Sequence, residues 1–238
     1  MIIDVHNHLG FRYDLGISDV DLLRWMDRAG VDMAVCFSQP VVWNNEYVLE
    51  KAKEHPDRLI PFAGVDPWQK TVLDELRRCL DRGARGLKLH PVRDCYSLAD
   101  KTLVDPLFEI CAKWKVPILS HGMSEWTNTP WQFYEMAQRF PGVNLIMAHG
   151  GHNWLREDAI SILKRGNQNL YVDTSVMYGS YVKRCVEEVS PERVLMGTDT
   201  PAETFEVEMK KMEMWLENKE HRALVMGGNI ARILGLKV

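Results

Sequence analysis

The chain has no CxxC pair, no long apolar run, no block of like charge and no glycine-rich phosphate loop after its first strand. Each absence excludes something. The five cysteines (Cys36, Cys79, Cys95, Cys111 and Cys185) are scattered and odd in number, which argues against a disulfide framework and fits reduced, packed thiols. No apolar stretch approaches the ~18 residues of a membrane span, and no basic segment precedes the first apolar run, so the reading is a cytoplasmic protein with no signal peptide. A net charge of −4 disfavours nucleic acid as the main partner, because phosphate binding needs a basic surface. Without GxGxxG, an open dinucleotide-binding sheet loses its main support. No linker or low-complexity tract divides the 238 residues, which therefore read as one domain, 1–238.

What is present is a rhythm. Short β-branched or apolar runs at 2–8, 32–38, 59–66, 84–90, 116–121, 144–149, 170–175 and 193–199 alternate with segments of helical periodicity. Ser18 before "DVDLLRWMDRAG" reads as an N-cap with Gly30 as the stop, and Pro130 opens a helix that ends before Pro141-Gly142. Eight strand–helix repeats in this length predict an α/β protein, a single distorted (β/α)8 TIM barrel.

Strands buried on both faces should be almost wholly apolar. Six of these eight end in a histidine or an acid: His6 and His8, Asp66, His90, His121, His149 and Asp199. The C-terminal strand ends are where barrel enzymes place their chemistry. His6 and His8, two apart, share one side of a strand and form a bidentate edge for a divalent metal. His121 can add a third nitrogen and Asp199 a carboxylate oxygen, a set that suits Zn²⁺ first, then Mn²⁺, Fe²⁺ or Co²⁺. A single strand-end histidine is more often a hydrogen-bonded core residue, but a register of them across several strands outweighs that reading.

These segments, with "VPILSHG", "NLIMAHGG", "VLMGTD", "GLKLHP" and the closing "GGNIARILGL", resemble the amidohydrolase superfamily. They resemble more narrowly its amidohydrolase-related branch, which includes aminocarboxymuconate-semialdehyde decarboxylase-like proteins. The resemblance runs from Ile3 to Leu236. It implies metal ligation by His6, His8, His121 and Asp199, with His149 as the catalytic histidine. Lys88 lies near a lysine that some superfamily members carboxylate to bridge two metals. The neighbouring His90 gives the "KLHP" form, which implies one metal.

The expected activity is hydrolysis of an amide, ester or lactone of a small molecule through a metal-activated water, with Asp199 as base and His149 as oxyanion partner or acid. The alternative is non-oxidative decarboxylation of a small aromatic or unsaturated acid. A TatD-like nuclease ranks below both, because that family carries a strand-four glutamate where this chain has Lys88 and His90. Beyond the core set, Lys88, His90, Arg12, His152 and Trp126 are candidates for substrate or second-metal contact, as is Arg93 for a carboxylate. Trp43, Trp68, Trp154, Phe11, Tyr13 and Tyr178 are candidate mouth-lining aromatics. Asp66 and Asp173 read as loop caps, and Asn229 as the N-cap of the last helix. The expected partner is a small-molecule substrate, with neither nucleic acid nor membrane; a homodimer is left open.

Overall fold

The computed structural model describes residues 1–12, 15–123, 125–166 and 168–237; Tyr13 lies outside them. The apolar runs become strands β1 (Ile3–Arg12), β3 (Met33–Ser38), β4 (Leu59–Pro61), β5 (Ala63–Gly64), β6 (Leu87–Leu89), β7 (Ile118–Ser120), β8 (Leu145–Met147), β9 (Leu170–Asp173) and β10 (Val194–Leu195). A short β2 (Leu15–Ile17), which the apolar pattern does not announce, folds back antiparallel on β1. Eight helices follow the strands in turn: α1 (Asp19–Ala29), α2 (Asn45–Glu54), α3 (Val72–Asp81), α4 (Asp105–Trp114), α5 (Pro130–Arg139), α6 (Arg156–Lys164), α7 (Gly179–Glu188) and α8 (Phe205–Trp215), before the terminal α9 (Lys219–Ala223) and α10 (Asn229–Leu234).

The strands form two parallel arcs, one through β1, β3 and β4 and the other from β5 to β10. The arcs join on either side of Phe62, whose N–H bonds Cys36 O while the next residue's N–H bonds Gly86 O. The other seam closes because the chain leaves the β9 ladder after Leu195 and pairs with β1. Val5 N–H donates to Met196 O (3.0 Å), Asp199 N–H to His6 O (2.9 Å) and His8 N–H to Thr200 O (2.8 Å). The result is a distorted (β/α)8 barrel, and this last seam sets Asp199 beside the β1 histidines.

Ile3, Val5, Val35, Phe37, Ile60, Phe62, Leu119, Ile146, Tyr171 and Leu195 fill the barrel, and Ile230, Ala231 and Leu234 of α10 pack into the same cluster. Burying each large apolar side chain contributes about 1.5–3 kcal/mol. Helix ends follow the local code. Ser18 accepts from Asp21 N–H, Gly30 closes α1 in the left-handed region at φ 72°, and Thr129 with Gln132 forms a capping box ahead of Pro130. Asn229 departs from its expected role. It is the first residue of α10, and its Nδ2 donates to Pro191 O and Val194 O, tying that helix to strand β10.

Strict alternation on β1 would put Ile3 and Val5 on the face opposite His6 and His8. The structure instead has a register shift between Asp4 and Asn7, where three steps on β1 match two on β3. Such a bulge re-aims the side chains beyond it. Ile3 and Val5 pack inside the barrel with Phe37, and the rings of His6 and His8 then also meet Phe37, at 5.3 and 4.8 Å. Asp4 holds the bulge: its Oδ1 accepts from His6 N–H (2.9 Å) and Asn7 Nδ2 (2.8 Å), all of it buried.

Candidate active site

The strand ends converge on a buried cluster. Asp199 Oδ1 lies 3.1 Å from His6 Nε2 and 3.2 Å from His8 Nε2. His6, His149 and Asp199 offer ligand-type atoms all within 4.8 Å of one another, as does a second group, Asp19, Glu54 and His55, away from the strand ends. His121 joins through its Nδ1, 3.2 Å from His149 Nε2, and His90 stacks on His121 at 4.1 Å with the rings 14° from parallel. Lys88 is fully buried, with Nζ 3.0 Å from His6 Nε2 and 4.5 Å from the Phe37 ring centre. Both His149 (φ 61°) and Asp199 (φ 67°) hold left-handed backbone, a conformation that costs a non-glycine residue on the order of 1–3 kcal/mol and recurs at functional sites.

Asp173 organises these imidazoles. Its Oδ2 takes the Nδ1–H of His6 at 2.7 Å, and its Oδ1 accepts from His149 N–H (2.9 Å), Ser175 N–H (3.1 Å) and Ser175 Oγ–H. Burial opposes its charge, but the attraction of His6 and these hydrogen bonds hold the Asp173 carboxyl below the usual carboxylate range. An ionised Asp173 leaves the shared proton on His6 Nδ1. Ser175 Oγ, its own proton given to Asp173, accepts from His149 Nδ1 at 2.9 Å. His149 Nε2 is then an acceptor, 3.2 Å from His121 Nδ1, while the Nε2 of His121 faces Glu125 Oε2 at 3.8 Å. Network logic of this kind assigns the tautomers.

Two acceptor atoms, His6 Nε2 and Asp199 Oδ1, thus face each other at 3.1 Å with Lys88 Nζ 3.0 Å from the first, an arrangement that calls for positive charge there. The titration behaviour agrees. Burial and Lys88 oppose a second proton on His6, yet Asp199 and Asp173 raise its pKa. Burial pushes His8 down to about 4 and lowers His121 and His149, so these rings stay neutral, as metal-ligating imidazoles must be. Burial opposes the charge of Asp199 as well, but His6 and His8 hold its carboxyl well below the usual range. Lys88 falls to about 7 by burial. Neutral imidazoles converging on a carboxylate, with a carboxylate behind one of them, form a donor set that fits a divalent metal.

A cavity of about 200 Å³ opens onto the cluster, lined by His8, His90, His121, His149 and Asp199 together with Arg12, Gln39 and Arg93. It is smaller than the ~300–1,000 Å³ of sites for drug-sized ligands, so it suits a single ring or a short chain. A larger cleft of about 660 Å³ lies near the strand starts, among Met33, Leu59, Arg85 and Leu236, and holds none of the cluster residues. Neither Trp126, 78% exposed, nor His152 lines the active cavity. Trp68, Trp154, Phe11 and Tyr178 are likewise exposed, and none of them lines it. Trp43 packs over Gly64, where any Cβ would overlap its ring, and donates from Nε1 to Asp94. Asp66 is the loop cap expected, accepting from Trp68 N–H and Gln69 Nε2. Asp173 caps its loop in the same way, through Ser175 N–H, and holds His6 and His149 N–H besides. The "DTS" spacing, which sets Asp173 and Ser175 two apart at a strand end, was the available signal for its role.

A family model described as amidohydrolase matches residues 3–236. Solved structures similar to this chain share its fold at low identity. An uncharacterised TIM-barrel protein from Bordetella bronchiseptica aligns with TM-score 0.83 at 18% identity over 98% of both chains. A dihydroxybenzoic acid decarboxylase from Polaromonas with bound manganese and 2-nitroresorcinol gives 0.82 at 17%, over 98% of this chain and 96% of that one. A probable 2-pyrone-4,6-dicarboxylic acid hydrolase from Acinetobacter baumannii gives 0.78 at 15%, over 99% of both. The chain belongs to the amidohydrolase family, a family of enzymes. Among the described residues no helix is long and apolar enough to cross a membrane.

Proposed function

We propose that the protein is a metal-dependent hydrolase of a small amide, ester or lactone, with His6, His8, His121 and Asp199 as the metal-holding residues. The observation that carries this reading is the convergence of two histidine Nε2 atoms on one ionised Asp199 oxygen, at 3.1 and 3.2 Å. A divalent metal held there supplies Lewis acidity and lowers the pKa of water from 15.7 towards about 7. Zn²⁺ is the first expectation for this donor set, and Mn²⁺, the ion in the Polaromonas relative, is the next. Asp199 takes the proton of the attacking water. His149, kept neutral with its proton on Nδ1 by Ser175, lines the cavity and becomes a proton acceptor at Nε2 when His121 Nδ1, 3.2 Å away, turns from it.

Decarboxylation of a small aromatic or unsaturated acid is the second reading. It is favoured by the decarboxylases among the structural relatives and by a cavity of one-ring size. In that case His149 moves the proton to or from carbon. Metal analysis after expression with Zn²⁺ or Mn²⁺ tests the shared premise: about one equivalent is expected, and less than a tenth refutes it. His6→Ala should lose the metal. A panel of lactones, amides and aromatic acids, followed for both hydrolysis products and CO₂, separates the two reactions.

A further inference from the structure

The inner end of the cavity is accounted for by the metal-holding cluster, but its mouth is not. Arg12, the last residue of β1, lines the mouth, and its Nε is buried without a hydrogen-bond partner. Gln39, just past β3, is only 5% exposed; it lines the same cavity, and its Nε2 is also buried without a partner. Arg93, an exposed residue of the loop after β6, lines the same cavity, and among the described residues the guanidiniums of Arg12 and Arg93 have neither a hydrogen-bond acceptor nor an ion-pair partner. Leaving a buried donor unsatisfied costs about 1–3 kcal/mol, more for a charged group. Two buried donors from two different strand ends, with the exposed Arg93 guanidinium beside them, therefore face one small volume with no protein acceptor to meet them. The one carboxylate lining that volume, Asp199, lies against His6 and His8, at 3.1 and 3.2 Å.

We propose that Arg12, Gln39 and Arg93 form a carboxylate-binding subsite, so that the substrate is a small acid whose carboxylate is held away from the bond that reacts. The planar edge of a guanidinium matches the two oxygens of a carboxylate, and the Gln39 amide adds a neutral donor to one of them. The ~200 Å³ cavity limits the span between the two ends to about one ring or a short chain. This deepens the hydrolase reading without depending on which bond breaks, because a decarboxylase with this mouth would need a second carboxylate on its substrate.

The test is calorimetric binding of isophthalate and of its uncharged, similarly shaped diamide, isophthalamide, to the metal-loaded protein and to protein stripped with a chelator. Isophthalate should bind about 10- to 100-fold tighter than isophthalamide in both forms, the range expected for hydrogen bonds to a charged group. Arg12→Met should weaken isophthalate at least tenfold and isophthalamide less than twofold. Gln39→Leu should act in the same sense but by a smaller factor, and thermal melting of both variants confirms that they fold. Equal binding of the two probes, no binding of isophthalate to either form, or an equal loss of both probes in Arg12→Met overturns the subsite. If the protein proves to hold no metal while the Arg12-dependent preference persists, the metal reading fails and the subsite stands.

Discussion

Replacing Asp173 by Asn tests how the site is wired. The carboxylate is fully buried and its two oxygens do different work: Oδ2 orients His6 through Nδ1 at 2.7 Å, and Oδ1 gathers His149 N–H, Ser175 N–H and Ser175 Oγ. An amide can keep its oxygen on the second set, but its NH₂ group then faces His6 Nδ1. Two donors cannot meet there, so His6 is driven to the other tautomer, with the proton on Nε2, the atom 3.1 Å from Asp199. That tautomer has no lone pair left for a metal. Loss of an outer carboxylate–histidine contact typically lowers metal affinity 10- to 100-fold, which is about 1.4–2.7 kcal/mol. The assay is competition for Zn²⁺ against a chelator of known affinity, with nitrogen-15 NMR of the histidine rings to read the tautomer. Wild-type affinity in Asp173→Asn, together with a His6 proton still on Nδ1, would refute the reasoning.

Two further perturbations probe the frame. Asp4→Ala removes the acceptor for two buried donors, His6 N–H and Asn7 Nδ2, at about 1–3 kcal/mol each. The expected loss is about 2–5 kcal/mol, read as a melting point lowered by about 5–15 °C; a change within about 2 °C would show that Asp4 does not hold the β1 bulge. Asp94 gives a pH prediction. Burial raises its carboxyl to about 7 although Trp43 Nε1 donates to it, so ionisation opposes folding. Stability should fall as pH rises from about 4 to 7, and Asp94→Asn should gain on the wild type across that window in melting scans. A constant difference between the two proteins from pH 4 to 8 would count against this assignment.

Much of the architecture is local and hence legible. Apolar strands and amphipathic helices are recorded in residue spacing, and the caps at Ser18, Gly30 and Thr129 act through neighbours three or four positions away. The candidate cluster was legible for a related reason: His6, His8, His121, His149 and Asp199 are polar side chains at the ends of otherwise apolar strands, where nothing but a site tolerates them. What escaped depended on distant partners. Asp173 meets His6 across 167 positions of chain, and Asn229 bonds Val194 across 35, so neither role shows in a neighbouring residue. Trp126 and His152 illustrate the converse: placed on strand-end loops by the sequence, they lie outside the cavity because loop direction is set by packing.

The residue pattern by itself determined that this chain alternates strand and helix and carries histidines and an aspartate at the ends of its strands, because hydrophobic burial and hydrogen-bond capping are written in short-range periodicity. Tertiary structure alone decided which of those groups face one another. Aiming His6 and His8 into the barrel required a bulge in β1, one residue longer than its β3 partner over that stretch, a difference that exists only once the two strands pair. Bringing Asp199 to the histidines required the last strand to leave β9 and close on β1. Leaving Arg12 and Gln39 unpaired at the mouth was likewise decided there, since an unsatisfied donor is defined by what the folded chain fails to bring to it.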